Sequence, residues 1–163
     1  MKSIKLLFAF FIVGIVSIHA QQIPSVQLKD LKGKIVDTSM LENDGKPFIV
    51  SFFATWCRPC LIELEAIKDV YEDWQEETGV KLYAISVDDA QNSLKVGPLV
   101  KAKEWPFEIL LDPNSDFTRA LGINMIPAVF VVDGNGEIAF SRAGYKFGEE
   151  ELLIEEVRKL LNE

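Results

Sequence analysis

The segment Trp56-Cys57-Arg58-Pro59-Cys60 holds both cysteines of the chain, and it is the stretch whose residue types and spacing can do chemistry. Two cysteines at this spacing can close a disulfide across one turn of helix. If a helix opens here, Cys57 stands at its start, where unpaired N–H groups and the helix dipole favour negative charge. Thiolate, not thiol, is the nucleophile, so that position makes Cys57 reactive. Arg58 adds positive charge alongside. Pro59 stiffens the loop at little cost, because its missing N–H would have gone unpaired near a helix start.

Two other uses of the pair can be weighed. A structural zinc site needs four ligands, and the chain offers two cysteines and one histidine, His19. No zinc site is therefore expected within one chain. A purely structural disulfide is the stronger rival, but a bridge closing so short a loop constrains the unfolded chain less than a long-range one. Redox chemistry is the better use of the two thiols.

The flanking elements suit that task. Phe48 to Phe53 is an apolar, partly β-branched run of strand length, preceded by the turn cluster Asn43 to Pro47, and is read as a buried strand. From Pro59 to Thr78 the pattern turns helical, with Leu64, Ile67, Val70, Tyr71 and Trp74 at spacings of three and four, and Gly79 supplies the stop. Glu65, Asp69, Glu72 and Glu76 form the solvated side. Glu63 does not belong with them: Glu63, Ile67, Val70 and Trp74 follow the apolar stripe, so a partly buried carboxylate stands one turn beyond Cys60. Such an acid has a raised pKa and can relay the proton of the resolving thiol.

Elsewhere, Val26 to Leu28 and Ile35 to Val36 flank a glycine-containing turn and read as an N-terminal hairpin. Val80 to Val87 and Phe107 to Leu111 read as strands. Ala90 to Glu104 reads as a helix that Gly97-Pro98 should break or kink. Asp116 to Leu121 is a brief helix, Ala128 to Val132 and Glu137 to Arg142 are strands joined by the turn Asp133 to Gly136, and a last helix starts near Glu149 with Leu153, Val157, Leu160 and Leu161 on one face. This alternation predicts an α/β fold, a central sheet with helices on both faces and the site at a strand's carboxyl end.

The first twenty residues are set apart. Lys2 and Lys5 precede an apolar or small run from Leu6 to Ile18, and Ala20 is a small residue fit for cleavage, so residues 1–20 read as a signal peptide and 21–163 as one domain. Retention by an uncleaved N-terminal anchor is the alternative, although the run is shorter than the ~20 apolar residues a membrane span requires. Export to the periplasm, or otherwise out of the cytoplasm, places the cysteine pair where disulfides persist. No stable membrane insertion is expected after cleavage.

The 163 residues carry 17 Lys and Arg against 25 Asp and Glu, a formal charge of −8 that becomes −10 once Lys2 and Lys5 are removed. An acidic chain without a basic stretch lacks the footprint of a nucleic-acid binder.

Phe53-Ala-Thr-Trp-Cys-Arg-Pro-Cys60-Leu-Ile-Glu63 resembles the exported bacterial thioredoxin-like thiol-disulfide oxidoreductases of the TlpA and ResA type. The likeness runs from about Pro24 to the C-terminus and includes the hairpin, Leu82 to Asp88 followed by an inserted helix, Trp105-Pro-Phe107 to Asp112, Ile126-Pro127 and Val131 to Gly136. The resemblance implies a thioredoxin fold, a central mixed β-sheet flanked by helices with an N-terminal β-hairpin and an inserted helix. It implies Cys57 as exposed nucleophile, Cys60 as resolving thiol, a buried acid at Glu63 and a cis proline beside the pair, for which Pro127 is the candidate. Ile126, just before it, would pair with an extended substrate segment. Trp56 is read as shielding the pair and contacting substrate, with an ordinary core position as the alternative; Trp74 and Trp105 are assigned to packing. Thioredoxin itself keeps its buried acid in the preceding strand, where this chain has Ser51, which gives Glu63 added weight.

No metal, flavin or nucleotide cofactor is implied; the protein is expected to be a monomer acting on protein disulfides or dithiols, with a redox partner protein to reset its cysteines. The resemblance favours reduction, while Arg58 and the helix dipole stabilise thiolate and push toward an oxidant. The rivals are a disulfide donor of the same fold, a peroxiredoxin-like peroxidase and a redox-inert binding module. The peroxidase pattern Pro-x-x-x-Thr-x-x-Cys is not met, since Thr55 lies two residues before Cys57.

Overall fold

The structure is a computed structural model and describes residues 21–162. The expected signal peptide lies outside the described residues. Seven strands, β1 (Gln27–Asp30), β2 (Ile35–Asp37), β3 (Phe48–Phe53), β4 (Lys81–Ser86), β5 (Glu108–Leu111), β6 (Ala128–Val132) and β7 (Ile138–Ala143), form one sheet in the order β2-β1-β5-β4-β3-β6-β7. Strands β3, β4 and β5 are parallel, while β6 runs antiparallel to β3, β7 to β6 and β1 to β5. The four α-helices among the described residues are α1 (Arg58–Thr78), α2 (Val96–Lys103), α3 (Asp116–Ala120) and α4 (Glu151–Leu161). This is the thioredoxin-like arrangement, with the N-terminal hairpin added beyond β5. No helix among the described residues is long and apolar enough to cross a membrane.

Every residue of β3 is buried, because both faces of this central strand are covered. Ile49 and Phe53 point into the cluster made with Leu64, Ile67 and Tyr71 of α1, Val96 of α2 and Leu153, Ile154 and Val157 of α4. Phe48, Val50 and Phe52 point the other way, toward Leu28, Leu110 and Phe117. Parallel strands need crossovers, and α1 is the one joining β3 to β4. Gly79 ends α1 in a left-handed conformation at φ 70°, which a side chain would disfavour.

Two sequence expectations are corrected in the helices. Gly97-Pro98 does not interrupt a helix: a short 3-10 turn occupies Asn92–Lys95, and the pair falls in the first turn of α2, where proline removes no helical hydrogen bond. The last helix starts at Glu151, later than expected. Its buried face is Leu153, Ile154 and Val157, whereas Leu161 is exposed. Glu149 and Glu150 precede the helix and turn back toward the sheet, with consequences for the site.

Candidate active site

The chain leaves β3 at Phe53 and enters α1 within four residues, so the cysteine motif sits at the carboxyl end of the central strand. Cys57 and Cys60 are joined in a disulfide, with Cα atoms 5.4 Å apart. Cys57 is the N-cap of α1, and its sulfur accepts from the Cys60 N–H at 3.4 Å. The Cys60 amide, which would stabilise a Cys57 thiolate, is therefore already aimed at its sulfur. Arg58 and Pro59 fill the first helical positions and are exposed.

The two sulfurs differ in access. Cys60 is fully buried. Cys57 is 5% exposed, so the nucleophile expected to be exposed is largely covered in the oxidised pair, packed with Ala54, Phe53 and the α1 stripe. Trp56 is 66% exposed and belongs to no core cluster. Near the motif, Leu61, Ile62, Ala66 and Phe147 together with Arg58, Glu65, Asp69 and Lys103 line a cleft of about 320 Å³, an apolar floor with a charged rim.

Ile126-Pro127 is a cis peptide bond at the entrance to β6. Pro127 is buried and its carbonyl accepts from the Gly144 N–H at 2.7 Å, while Ile126 is half-buried and touches both core clusters.

Glu63 is fully buried on α1, and Arg142 of β7 donates to its Oε1. Burial pushes the Glu63 carboxyl above its ordinary range, and the Arg142 guanidinium opposes that rise. Arg142 also donates to the Gly144 carbonyl and, at 3.3 Å, to Glu149. Glu150, likewise buried, accepts from Tyr145 Oη at 2.7 Å. Ser51 and Arg142 both pair with Val129, so the three form one row across β3, β6 and β7 on the face under α1.

Several of the residues that meet or brace the site were not singled out from the sequence. Arg142 carried a signal, because it stands two residues after Phe140 on the half-buried side of β7, where a charge demands a partner. Asp88, buried just after β4, accepts from Thr55 N–H, Thr55 Oγ1 and Ser86 Oγ at 2.7 to 2.9 Å and so braces the loop leading to Cys57. Asp112 accepts from the N–H groups of Asp116 and Thr118 and caps α3. Glu65, expected on a solvated face, instead accepts from Trp105 Nε1 at 2.5 Å and pairs with Lys103 at 3.2 Å. Trp105 packs edge-on against Phe53 at 5.5 Å, so it anchors β3 as well as filling space. Among the described residues no group of three or more His, Cys, Asp or Glu side chains is placed to hold a metal ion.

A thioredoxin-like sheet with a disulfide-forming Cys-x-x-Cys pair at the head of α1 defines a class of redox-active thiol proteins. The chain belongs to the AhpC/TSA family, whose profile matches residues 19–141. It is similar to the thiol-disulfide oxidoreductase ResA of Bacillus thuringiensis subsp. konkukian, 25% identical over 118 residues that cover 72% of this chain and 65% of the relative. The ResA of Halalkalibacterium halodurans is 28% identical over 141 residues, covering 86% of this chain and 76% of that one. A thioredoxin-like protein of Porphyromonas gingivalis is 55% identical and superposes with a TM-score of 0.77, covering 86% of this chain and 92% of that structure. The chain thus spans slightly less than two thirds of the length of the first of these relatives.

Proposed function

We propose that this protein is a thiol-disulfide oxidoreductase that reduces disulfides in exported proteins. The observation that carries the reading is the Cys57–Cys60 disulfide at the N-terminus of α1, with Cys57 as the N-cap and slightly exposed and Cys60 fully buried. In the reduced protein the Cys57 thiolate attacks a substrate disulfide, a mixed disulfide forms, and one substrate sulfur leaves as a thiolate. Cys60 then loses its proton and attacks Cys57 Sγ. The Cys57–Cys60 bond forms, the bond to the substrate breaks, and two electrons have passed from the dithiol to the substrate. A reductant protein restores the dithiol.

The reducing direction has a physical basis. A pair oxidises strongly when its reduced form is stabilised as thiolate. Here Cys60 is fully buried among apolar side chains and shares its helix face with the Glu63 carboxylate, so a thiolate at Cys60 is disfavoured. The helix N-terminus acts in the opposite sense on Cys57 alone. The substrate segment lies against Trp56, Ile126 and the cleft beside Phe147. The site of action is outside the cytoplasm, on the strength of the Lys2 to Ala20 leader pattern, and cell fractionation tests that placement.

Equilibration in thiol-disulfide buffers, followed by tryptophan fluorescence and thiol trapping, decides the direction. A potential near about −270 mV supports a reductase, and one near about −120 mV makes the protein a disulfide donor. Absence of a reversible two-thiol couple leaves the binding module.

A further inference from the structure

Glu63 would be a poor proton acceptor by itself. A carboxyl fully removed from water and left without a cation stays neutral, and a neutral acid takes no proton from a thiol. Its partner comes from a distant part of the chain: Arg142, 79 residues on, reaches Glu63 Oε1 from β7. Arginine keeps its charge in any protein environment, so this contact supplies a permanent cation. The two carboxylate oxygens are thereby made unequal. Oε1 is occupied by Arg142, while Oε2 is buried with no protein partner among the described residues. Glu63 follows Cys60 by three residues on the same helix, which brings the two side chains together on one face, and both are fully buried.

Arg142 is itself tethered from the other side. It donates to the Gly144 carbonyl and to Glu149 Oε2, and its guanidinium lies 5.7 Å from the centre of the Tyr145 ring. The charged and titratable groups facing Glu63 are thus Arg142 from β7 and Tyr145, Glu149 and Glu150 from the segment before α4, with Cys60 on its own helix. One guanidinium is shared between two carboxylates, so Glu149 competes with Glu63 for it.

We infer that Arg142 is a positioning residue that holds Glu63 ionised beneath Cys60, with Oε2 free to take the Cys60 proton, and that Glu149 sets how strongly it does so. This deepens the proposed function and rests on it. In the resolving step the Cys60 S–H bond breaks and its proton passes to Glu63 Oε2. The Cys60 sulfur bonds to Cys57 Sγ, and the substrate departs as a thiolate. No further reactant is needed.

The test follows the resolution rate of the mixed disulfide between Cys57 and glutathione, formed with oxidised glutathione, across pH in the full chain. In Arg142→Gln the rate at pH 7 should fall by roughly tenfold or more, with its rising limb displaced to higher pH, and Arg142→Lys should restore much of it. Glu149→Gln, which releases Arg142 from its second carboxylate, should displace the limb to lower pH. In a Glu63→Gln background neither substitution should move the profile further. The inference is overturned if folded Arg142→Gln keeps the wild-type profile, or if the same displacement persists without Glu63. Should Arg142→Gln fail to fold, Glu149→Gln still decides: an unmoved or upward-moved limb refutes the inference. Failure of the underlying redox reading is separate, because then the wild-type protein forms no resolvable mixed disulfide.

Discussion

Asp88 binds Thr55 twice, through the backbone N–H at 2.8 Å and through Oγ1 at 2.7 Å, and thereby ties the loop before Cys57 to the end of the neighbouring strand β4. Asp88 is fully buried and takes a third bond from Ser86. Its carboxylate does for the active-site loop what the strand pairing of Phe53 with Ser86 does for the strand beneath it.

Replacing Asp88 by alanine should therefore cost about 2–3 kcal/mol of stability, since three hydrogen bonds to its carboxylate are lost and the part-buried Thr55 donors and buried Ser86 hydroxyl lose their acceptor. Urea unfolding at pH 7 measures this. The exchange rate of Cys57 should drop as well, because the motif loses its brace.

The inequality of the two sulfurs predicts which variant traps substrate. Cys60→Ser should accumulate a covalent complex with a disulfide substrate, visible on non-reducing gels and by mass, since nothing can attack the mixed disulfide. Cys57→Ser should form little complex, because Cys60 is sealed from solvent.

Burial of Glu63 predicts a pH dependence of folding. Its folded pKa is raised above the ordinary value of 4.5, so the native state holds the proton more tightly than the unfolded chain. The contribution is fully present at pH values below 4.5 and is lost as pH rises through the elevated folded value. Glu63→Gln should flatten the fall in stability that sets in as pH rises above 4.5, checked by denaturant midpoints measured upward from that pH.

Trp56 is mostly exposed, and Trp56→Ala should change stability by no more than about 0.5 kcal/mol. The same substitution should lower the rate with protein disulfides much more than with a small disulfide such as oxidised glutathione. Equal losses on both would remove Trp56 from the substrate contact.

Much of this protein is legible along the chain. The apolar run Phe48–Phe53, the three-and-four spacing of Leu64, Ile67, Tyr71 and Trp74, and the Gly79 stop are local patterns, and they determine β3 and α1 without reference to anything distant. The Cys57–Cys60 spacing and the placement of Glu63 on the apolar stripe follow from the same helical period. What the tertiary structure alone decided is what meets Glu63. Arg142, Glu149 and Asp88 reach the motif because the sheet order sets β4 on one side of β3 and β6 and β7 on the other. Periodicity in a sequence reports which face of an element is buried, but the partner of a buried charge depends on which strands become neighbours, and that is settled only when the whole sheet assembles.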